Sequence, residues 1–212
     1  MLSNKHYFET LKPFMDFAFI PIHSCVPEIH DATTRVPGSF FDTMLGLKNL
    51  YNSEIFEMTI TVFNKLNYKT IVSTFDMIQD NFPGQLMSLT FPHPIGAAHT
   101  KDIVPRYIDT KPYIQELVKK WGHLMFVHYI PKCFTYPYQD IILDVGVKNR
   151  FGSDYIDGKW QTLNIGDPAP DAKIKPETCK VCIFYSECAG VWKEYAELYP
   201  DLEVDLIPIR GT

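Results

Sequence analysis

Short apolar runs alternate with longer amphipathic segments over the first 130 residues of the chain. Four of these runs are predicted to be strands, because they are short and rich in β-branched and aromatic residues. They cover residues 17–23 (FAFIPIH), 56–63 (FEMTITVF), 86–91 (LMSLTF) and 123–130 (HLMFVHYI). Pro21 weakens the first strand or marks its end.

The segments between these runs carry apolar residues at helical spacing. Helices are predicted over residues 40–51, 68–81 and 111–121, with Asn67 as the N-cap of the second and Gly122 at the end of the third. Strand–helix–strand units of this length imply parallel strands joined by right-handed crossovers, so the predicted fold class is α/β. A full parallel (β/α) barrel takes roughly 250 residues. This stretch is therefore either a fragment of such a barrel or a smaller open sheet.

The composition changes after Pro131, where glycine, proline and aspartate recur. Asp157-Gly158, between two β-prone stretches, predicts a hairpin with a two-residue turn. A helix is predicted over residues 190–199, closed by Pro200. The chain is therefore predicted to have two domains: a partial (β/α) barrel over residues 1–130 and a small cysteine-rich α+β domain over residues 131–212.

Charge and composition exclude several classes of partner. The net charge is −5, and basic residues form no run longer than pairs such as Lys119-Lys120, so a nucleic-acid surface is not expected. The apolar stretch at residues 14–22 is too short to span a bilayer, and the N-terminus lacks the features of a signal peptide. A cytoplasmic protein with no membrane partner is expected.

Three of the five cysteines, Cys179, Cys182 and Cys188, have the spacing C-x2-C-x5-C. In a reducing compartment such a group indicates a metal site rather than disulfides. Cys133 is the candidate for a fourth thiolate, which leaves Cys25 over. The spacing alone fits a structural zinc ion and an iron–sulfur cluster equally well.

Several other segments follow one another in an informative order. They are 22–24 (IHS), 28–31 (EIHD), 35–40 (RVPGSF), 61–68 (TVFNKLNY), 91–98 (FPHPIGAA), 179–200 (CKVCIFYSECAGVWKEYAELYP) and 204–209 (VDLIPI). In this order they resemble radical S-adenosylmethionine enzymes, from just before the fourth barrel strand to a C-terminal auxiliary-cluster domain of the SPASM or twitch type. The resemblance covers almost the whole chain. It implies the C-terminal half of a TIM-like barrel followed by a cysteine-rich domain.

The resemblance also implies ligands and contacts. An auxiliary iron–sulfur cluster of the 4Fe–4S type would be held by Cys179, Cys182, Cys188 and Cys133. S-adenosylmethionine would be contacted by Arg35, through a guanidinium–carboxylate pair, and approached by Asn67 and Gly96. The residues themselves leave an alternative role for each. Arg35 could be an exposed loop arginine, Asn67 a helix cap and Gly96 a glycine required by a turn.

Two elements of that family are absent from the chain: the C-x3-C-x2-C motif of the reactive cluster and a Gly-Gly-Glu element that holds the cofactor. S-adenosylmethionine is therefore expected to bind only if a missing N-terminal half is supplied, for example by a partner chain. A peptide is the substrate class implied by several branches of the family. Half a barrel would leave a strand edge and an apolar face open, so a partner, self-association or poor solubility is expected.

Three functions follow as alternatives. In the first, the chain is part of a radical enzyme and is inactive in S-adenosylmethionine cleavage by itself. In the second, it is a catalytically inert protein that keeps the auxiliary cluster for electron transfer or partner binding. In the third, it is a binding module stabilised by zinc. The metal content separates the last alternative from the other two.

Overall fold

The structure, a computed structural model, describes residues 2–53, 55–142, 151–156, 159–164 and 172–211. Four parallel strands in the order β1-β2-β3-β4 form its sheet. They are β1 (Phe17–Pro21), β2 (Phe56–Val62), β3 (Leu86–Thr90) and β4 (Met125–His128). All four predicted strands and their parallel pairing are confirmed, with slightly shorter bounds. The chain is therefore an α/β protein.

One helix precedes these four strands, and the other helices and the remaining strands lie between and after them. The helices are α1 (Lys5–Leu11), α2 (Pro27–Thr34), α3 (Ser39–Tyr51), α4 (Ile71–Asn81), α5 (Tyr107–Trp121), α6 (Lys132–Thr135), α7 (Lys193–Leu198) and α8 (Leu202–Asp205). Two antiparallel pairs complete the description: β5 (Phe151–Ile156) with β6 (Lys159–Asn164), and β7 (Lys173–Ile174) with β8 (Val191–Trp192). Residues 156 and 159 pair, as the predicted hairpin requires, whereas Asp157-Gly158 lies outside the described residues.

One face of the parallel sheet is buried by helices. Ile20, Met87, Leu89 and Val127 share one apolar core with residues of α3, α4 and α5. Because side chains alternate along a strand, the residues between them point to the opposite face.

That opposite face is open beside β1. Phe17 and Phe19 are 61% and 48% exposed, and their rings lie 5.5 Å apart. In the described part of the chain β1 is also an edge strand, with β2 as its only neighbour in the sheet. The expectation of an open strand edge and an open apolar face is met here.

The C-terminal segment packs into the same core as the sheet. Trp192, Tyr195, Leu202 and Leu206 all belong to this core. Residues on both sides of the predicted domain boundary, between residues 130 and 131, therefore share one core. The boundary itself stays a prediction.

Two helix starts differ from the prediction because of distant contacts. α5 begins at Tyr107 rather than at residue 111, and the N–H of Tyr107 donates to Tyr195 Oη (3.0 Å). α7 begins at Lys193 rather than at residue 190, because residues 191–192 pair with β7 instead.

Among the described helices, none has the length and apolar character needed to cross a membrane.

Candidate functional site

Four cysteines line one cavity beyond the end of β4. Cys133 lies in α6, just after the strand, while Cys179, Cys182 and Cys188 come from the segment between β7 and β8. The cavity contains about 350 Å³ of space between atoms, part of it open to solvent. We call this space the cysteine cavity. Its other lining residues are Pro131, Lys132, Lys175, Phe184, Tyr185, Gly190, Leu206, Ile207 and Pro208.

Successive tight turns bring the three C-terminal cysteines to this cavity. The N–H of Cys182 donates to the carbonyl of Cys179 (2.9 Å), and the N–H of Cys188 donates to the carbonyl of Phe184 (2.8 Å). Between them, Tyr185 N–H donates to the carbonyl of Cys182 (3.0 Å). The chain thus curls around the cavity and presents a thiol from each turn.

Two lysines hold residues 184–188, which we call the Cys188 loop. Lys175 Nζ donates to the carbonyl oxygens of Tyr185 (2.6 Å) and Cys188 (3.0 Å). Lys132 Nζ forms an ion pair with Glu187 (2.7 Å). Neither lysine was identified from the sequence, because no spacing rule connects them to the cysteines.

Gly190 allows the short β7–β8 pairing that supports this loop. Its φ is +84°, a conformation that glycine adopts without steric cost. A Cβ at this position would lie 2.2 Å from the carbonyl oxygen of Ile174 in β7. Any side chain here would therefore push β7 and β8 apart.

Two of the thiols, those of Cys133 and Cys179, are difficult to ionise, because their pKa is raised. Burial, with smaller contributions from the other three cysteines, raises the pKa of Cys133 to about 12, although Lys111 acts in the opposite direction. Burial, and next Cys188 and Cys182, raises the pKa of Cys179 to about 11. A metal group bound here must therefore displace protons, because thiolates are the ligating form.

The four cysteines line the same cavity, but their side chains do not form a ready-made site for a single metal ion. Among the described residues, no three His, Cys, Asp or Glu side chains are placed so that they could share one metal ion. A tetrahedral zinc ion with Zn–S distances near 2.3 Å would bring its sulfurs to about 3.8 Å from each other. Binding of a single ion would therefore require the cysteine side chains to move.

The three residues predicted to contact S-adenosylmethionine lie away from the cysteine cavity. Arg35 follows α2 in a left-handed conformation (φ 60°) with an exposed side chain. Gly96 starts an exposed turn with φ +55°, and its missing Cβ faces open space. The turn alone accounts for this glycine.

Asn67 does not cap a helix with its side chain, so that prediction is wrong. It precedes a short 3₁₀ turn, but no hydrogen bond runs from its side chain to that turn. Its carboxamide donates to the carbonyls of His23 (2.9 Å) and Val62 (2.8 Å) and accepts from the N–H of Asn64 (2.8 Å). Asn67 is fully buried and joins the carboxyl ends of β1 and β2.

A histidine pair that the sequence analysis did not single out as a site lies at the same end of β1. The N–H of His23 donates to His30 Nδ1 (3.1 Å), and the N–H of Val62 lies 3.4 Å from His23 Nδ1. Burial lowers the pKa of His23 to about 4, so this imidazole is neutral at pH 7.

Comparison of the chain with protein-family models, with curated proteins and with solved structures found no match.

Proposed function

We propose that the cysteine cavity binds an iron–sulfur cluster through Cys133, Cys179, Cys182 and Cys188. The observation that supports this is the placement of four thiols, from two distant segments, around one cavity. A 4Fe–4S cluster is bound by four separate cysteine thiolates, one at each iron, so its ligands surround a volume. Soft thiolates also suit zinc, but zinc would draw the four sulfurs together.

We further propose that the chain is the C-terminal portion of a radical S-adenosylmethionine enzyme, with the sheet as part of a barrel and the cysteine cavity as the auxiliary site. Two features are consistent with this: the sequential parallel order of the strands and the open face beside β1. When bound at the reactive cluster that this chain lacks, S-adenosylmethionine would supply a deoxyadenosyl radical. The cofactor carries that chemistry, and the protein orients it.

This chain would contribute particular residues to the cofactor site. The exposed guanidinium of Arg35 would take the carboxylate of S-adenosylmethionine in a bidentate pair. Gly96 would allow close approach of the adenosine, because no side chain projects there. Asn67 would act indirectly, by fixing the strand ends from which the site is built.

The missing half of the barrel, or a partner chain, would cover Phe17 and Phe19 on the open face. An exposed, unpaired edge strand with aromatic residues is a site where other chains associate. A peptide, the substrate class in several branches of the family, is the proposed substrate.

Metal analysis tests the cluster directly. The purified chain, reconstituted without oxygen with iron and sulfide, should contain iron and acid-labile sulfide and absorb visible light. Replacing Cys133, Cys179, Cys182 or Cys188 by serine should lower the iron content, while Cys25→Ser should not. Colourless protein that contains zinc instead of iron would establish the zinc-stapled alternative.

Cofactor cleavage tests the position of the chain in the enzyme. With S-adenosylmethionine and a strong reductant, the reconstituted chain alone should form no deoxyadenosine, because it lacks the C-x3-C-x2-C motif. Robust formation of deoxyadenosine would overturn this part of the proposal.

The absent motif also favours a second candidate, a cluster protein for electron transfer or partner binding without catalysis. A stable cluster in a monodisperse monomer would support this candidate over the half-enzyme.

A further inference from the structure

Lys175 differs from two other lysines of this region, Lys132 and Lys180, in the groups that its ammonium contacts. Lys132, which also lines the cavity, pairs with Glu187 (2.7 Å), and Lys180 pairs with Glu177 (2.6 Å). The hydrogen bonds of Lys175 go to two neutral carbonyl groups, and no carboxylate of the described residues pairs with it. Within the described part of the chain, the positive charge of Lys175 therefore has no carboxylate partner.

The position of Lys175 is fixed from several sides. Besides the two carbonyls, its ammonium lies 4.2 Å from the centre of the Tyr185 ring. Lys175 directly follows β7, whose pairing with β8 depends on the close approach at Gly190. The side chain is half-buried, so its charge is less screened by water than that of a surface lysine.

We propose that Lys175 is a positioning residue of the cysteine cavity: it clamps the Cys188 loop and places one fixed positive charge beside the bound group. The second part of this inference rests on the proposed iron–sulfur cluster. Four thiolates and a cluster carry net negative charge, and reduction adds one more electron. A fixed ammonium at the cavity wall stabilises that charge, and most strongly in the reduced state.

The clamp is tested in the metal-free protein by amide hydrogen exchange. The N–H groups of Glu187 and Cys188 donate to the carbonyl of Phe184 and report on opening of the loop. Lys175→Met should speed their exchange roughly fivefold to thirtyfold, as expected for the loss of charge-assisted hydrogen bonds. Lys175→Arg should restore most of the protection. Lys180→Met, in the same segment but paired only with Glu177, is the matched control and should leave the exchange unchanged.

The charge is tested in the reconstituted protein by a redox titration followed in the visible spectrum. Lys175→Met should shift the reduction potential of the cluster to a more negative value, whereas Lys175→Arg and Lys180→Met should stay near the wild-type value. If Lys175→Met does not fold, Lys175→Gln provides the same loss of charge with a polar side chain.

The outcomes separate the two levels of the argument. Wild-type protein that takes up no iron and sulfide overturns the proposed cluster, and the exchange experiment then decides the clamp by itself. A cluster with the same potential in wild type, Lys175→Met and Lys175→Gln refutes the charge role, even though the cluster is present. Unchanged exchange in Lys175→Met refutes the clamp.

Discussion

The carboxylate of Asp205 joins the C-terminal segment to the start of α5, and its removal should destabilise the whole chain. Asp205 is fully buried. Arg106 donates to it from Nε (3.2 Å) and Nη2 (3.3 Å), and Tyr195 Oη donates at 2.7 Å. The N–H of Ile108, in the first turn of α5, lies 3.4 Å from Oδ1. One side chain thus accepts from three residues, two at the start of α5 and one in α7.

The magnitude follows from what remains after the change. Removing one partner of a buried ion pair costs roughly 3–5 kcal/mol, because the other charge is left uncompensated. Arg106 keeps a second partner, Asp201 (2.9 Å), and its side chain is 25% exposed. Both features reduce the penalty, so Asp205→Ala should lower the free energy of unfolding by about 3 kcal/mol.

Urea unfolding, followed by circular dichroism, measures this loss. Asp201→Ala is the matched control: it removes a carboxylate from the same arginine, but its side chain is 55% exposed, so the loss should be clearly smaller. For a chain of this size, a loss of 3 kcal/mol lowers the Tm by roughly 6–12 °C. If the two variants unfold within about 1 kcal/mol of each other, the buried carboxylate does not hold the two segments together and the reasoning is refuted.

Three further predictions concern the backbone, the pH dependence and the open face. Gly190 and Gly84 both have a φ of +84°, but only a Cβ at Gly190 would meet a carbonyl oxygen of β7, at 2.2 Å. Gly190→Ala should therefore lower the free energy of unfolding in urea more than Gly84→Ala does. Gly84→Ala should lose about 1–2 kcal/mol, because its only penalty is the left-handed backbone conformation. Equal losses would contradict the close approach of Gly190 to β7. Burial lowers the pKa of His23 from 6.5 to about 4. The unfolded imidazole binds a proton that the folded one excludes, so stability should fall by up to roughly 3 kcal/mol as the pH decreases from 6.5 to 4. His23→Asn should flatten this profile, and an unchanged slope would exclude His23 as its source. Phe19→Ser should reduce self-association measured by light scattering. Phe14→Ser, which changes an 83% exposed residue outside the strands, should not reduce it. Equal effects of the two variants would argue against the open sheet face as the surface through which the chains associate.

The sheet could be predicted from the sequence because its signal is local. Each strand is a short run of β-branched and aromatic residues, and the amphipathic segments between the strands have the length of a crossover helix. Helix α3, predicted from residue 40 and observed from Ser39, follows the same logic of apolar spacing. The grouping of Cys133 with Cys179, Cys182 and Cys188 is expected from the family resemblance, in which a further cysteine often follows the last barrel strand; in the structure all four line the cysteine cavity.

What the sequence could not provide are interactions with partners that carry no sequence signature. Lys175 binds two backbone carbonyls, and a carbonyl is present in every residue. The start of α5 depends on Tyr195 and Asp205, roughly ninety residues away. Asn67 looks like a helix cap in the sequence, but the folded chain uses its carboxamide to join two strand ends. In each of these positions a long-range hydrogen bond outweighs the local preference.

The location of the cysteine cavity connects the fold to the proposed chemistry. In parallel α/β sheets, ligands bind beyond the carboxyl ends of the strands. Cys133 follows the carboxyl end of β4, and the loop after β3 reaches the C-terminal segment, where the His93 ring stacks on Trp192 at 3.9 Å and His93 Nε2 lies 3.3 Å from Glu194. The segment that carries the other three cysteines is therefore docked onto the end of the sheet where such ligands bind. If the proposed cluster is bound in the cysteine cavity, it therefore lies at the end of the sheet where parallel α/β folds place their ligands.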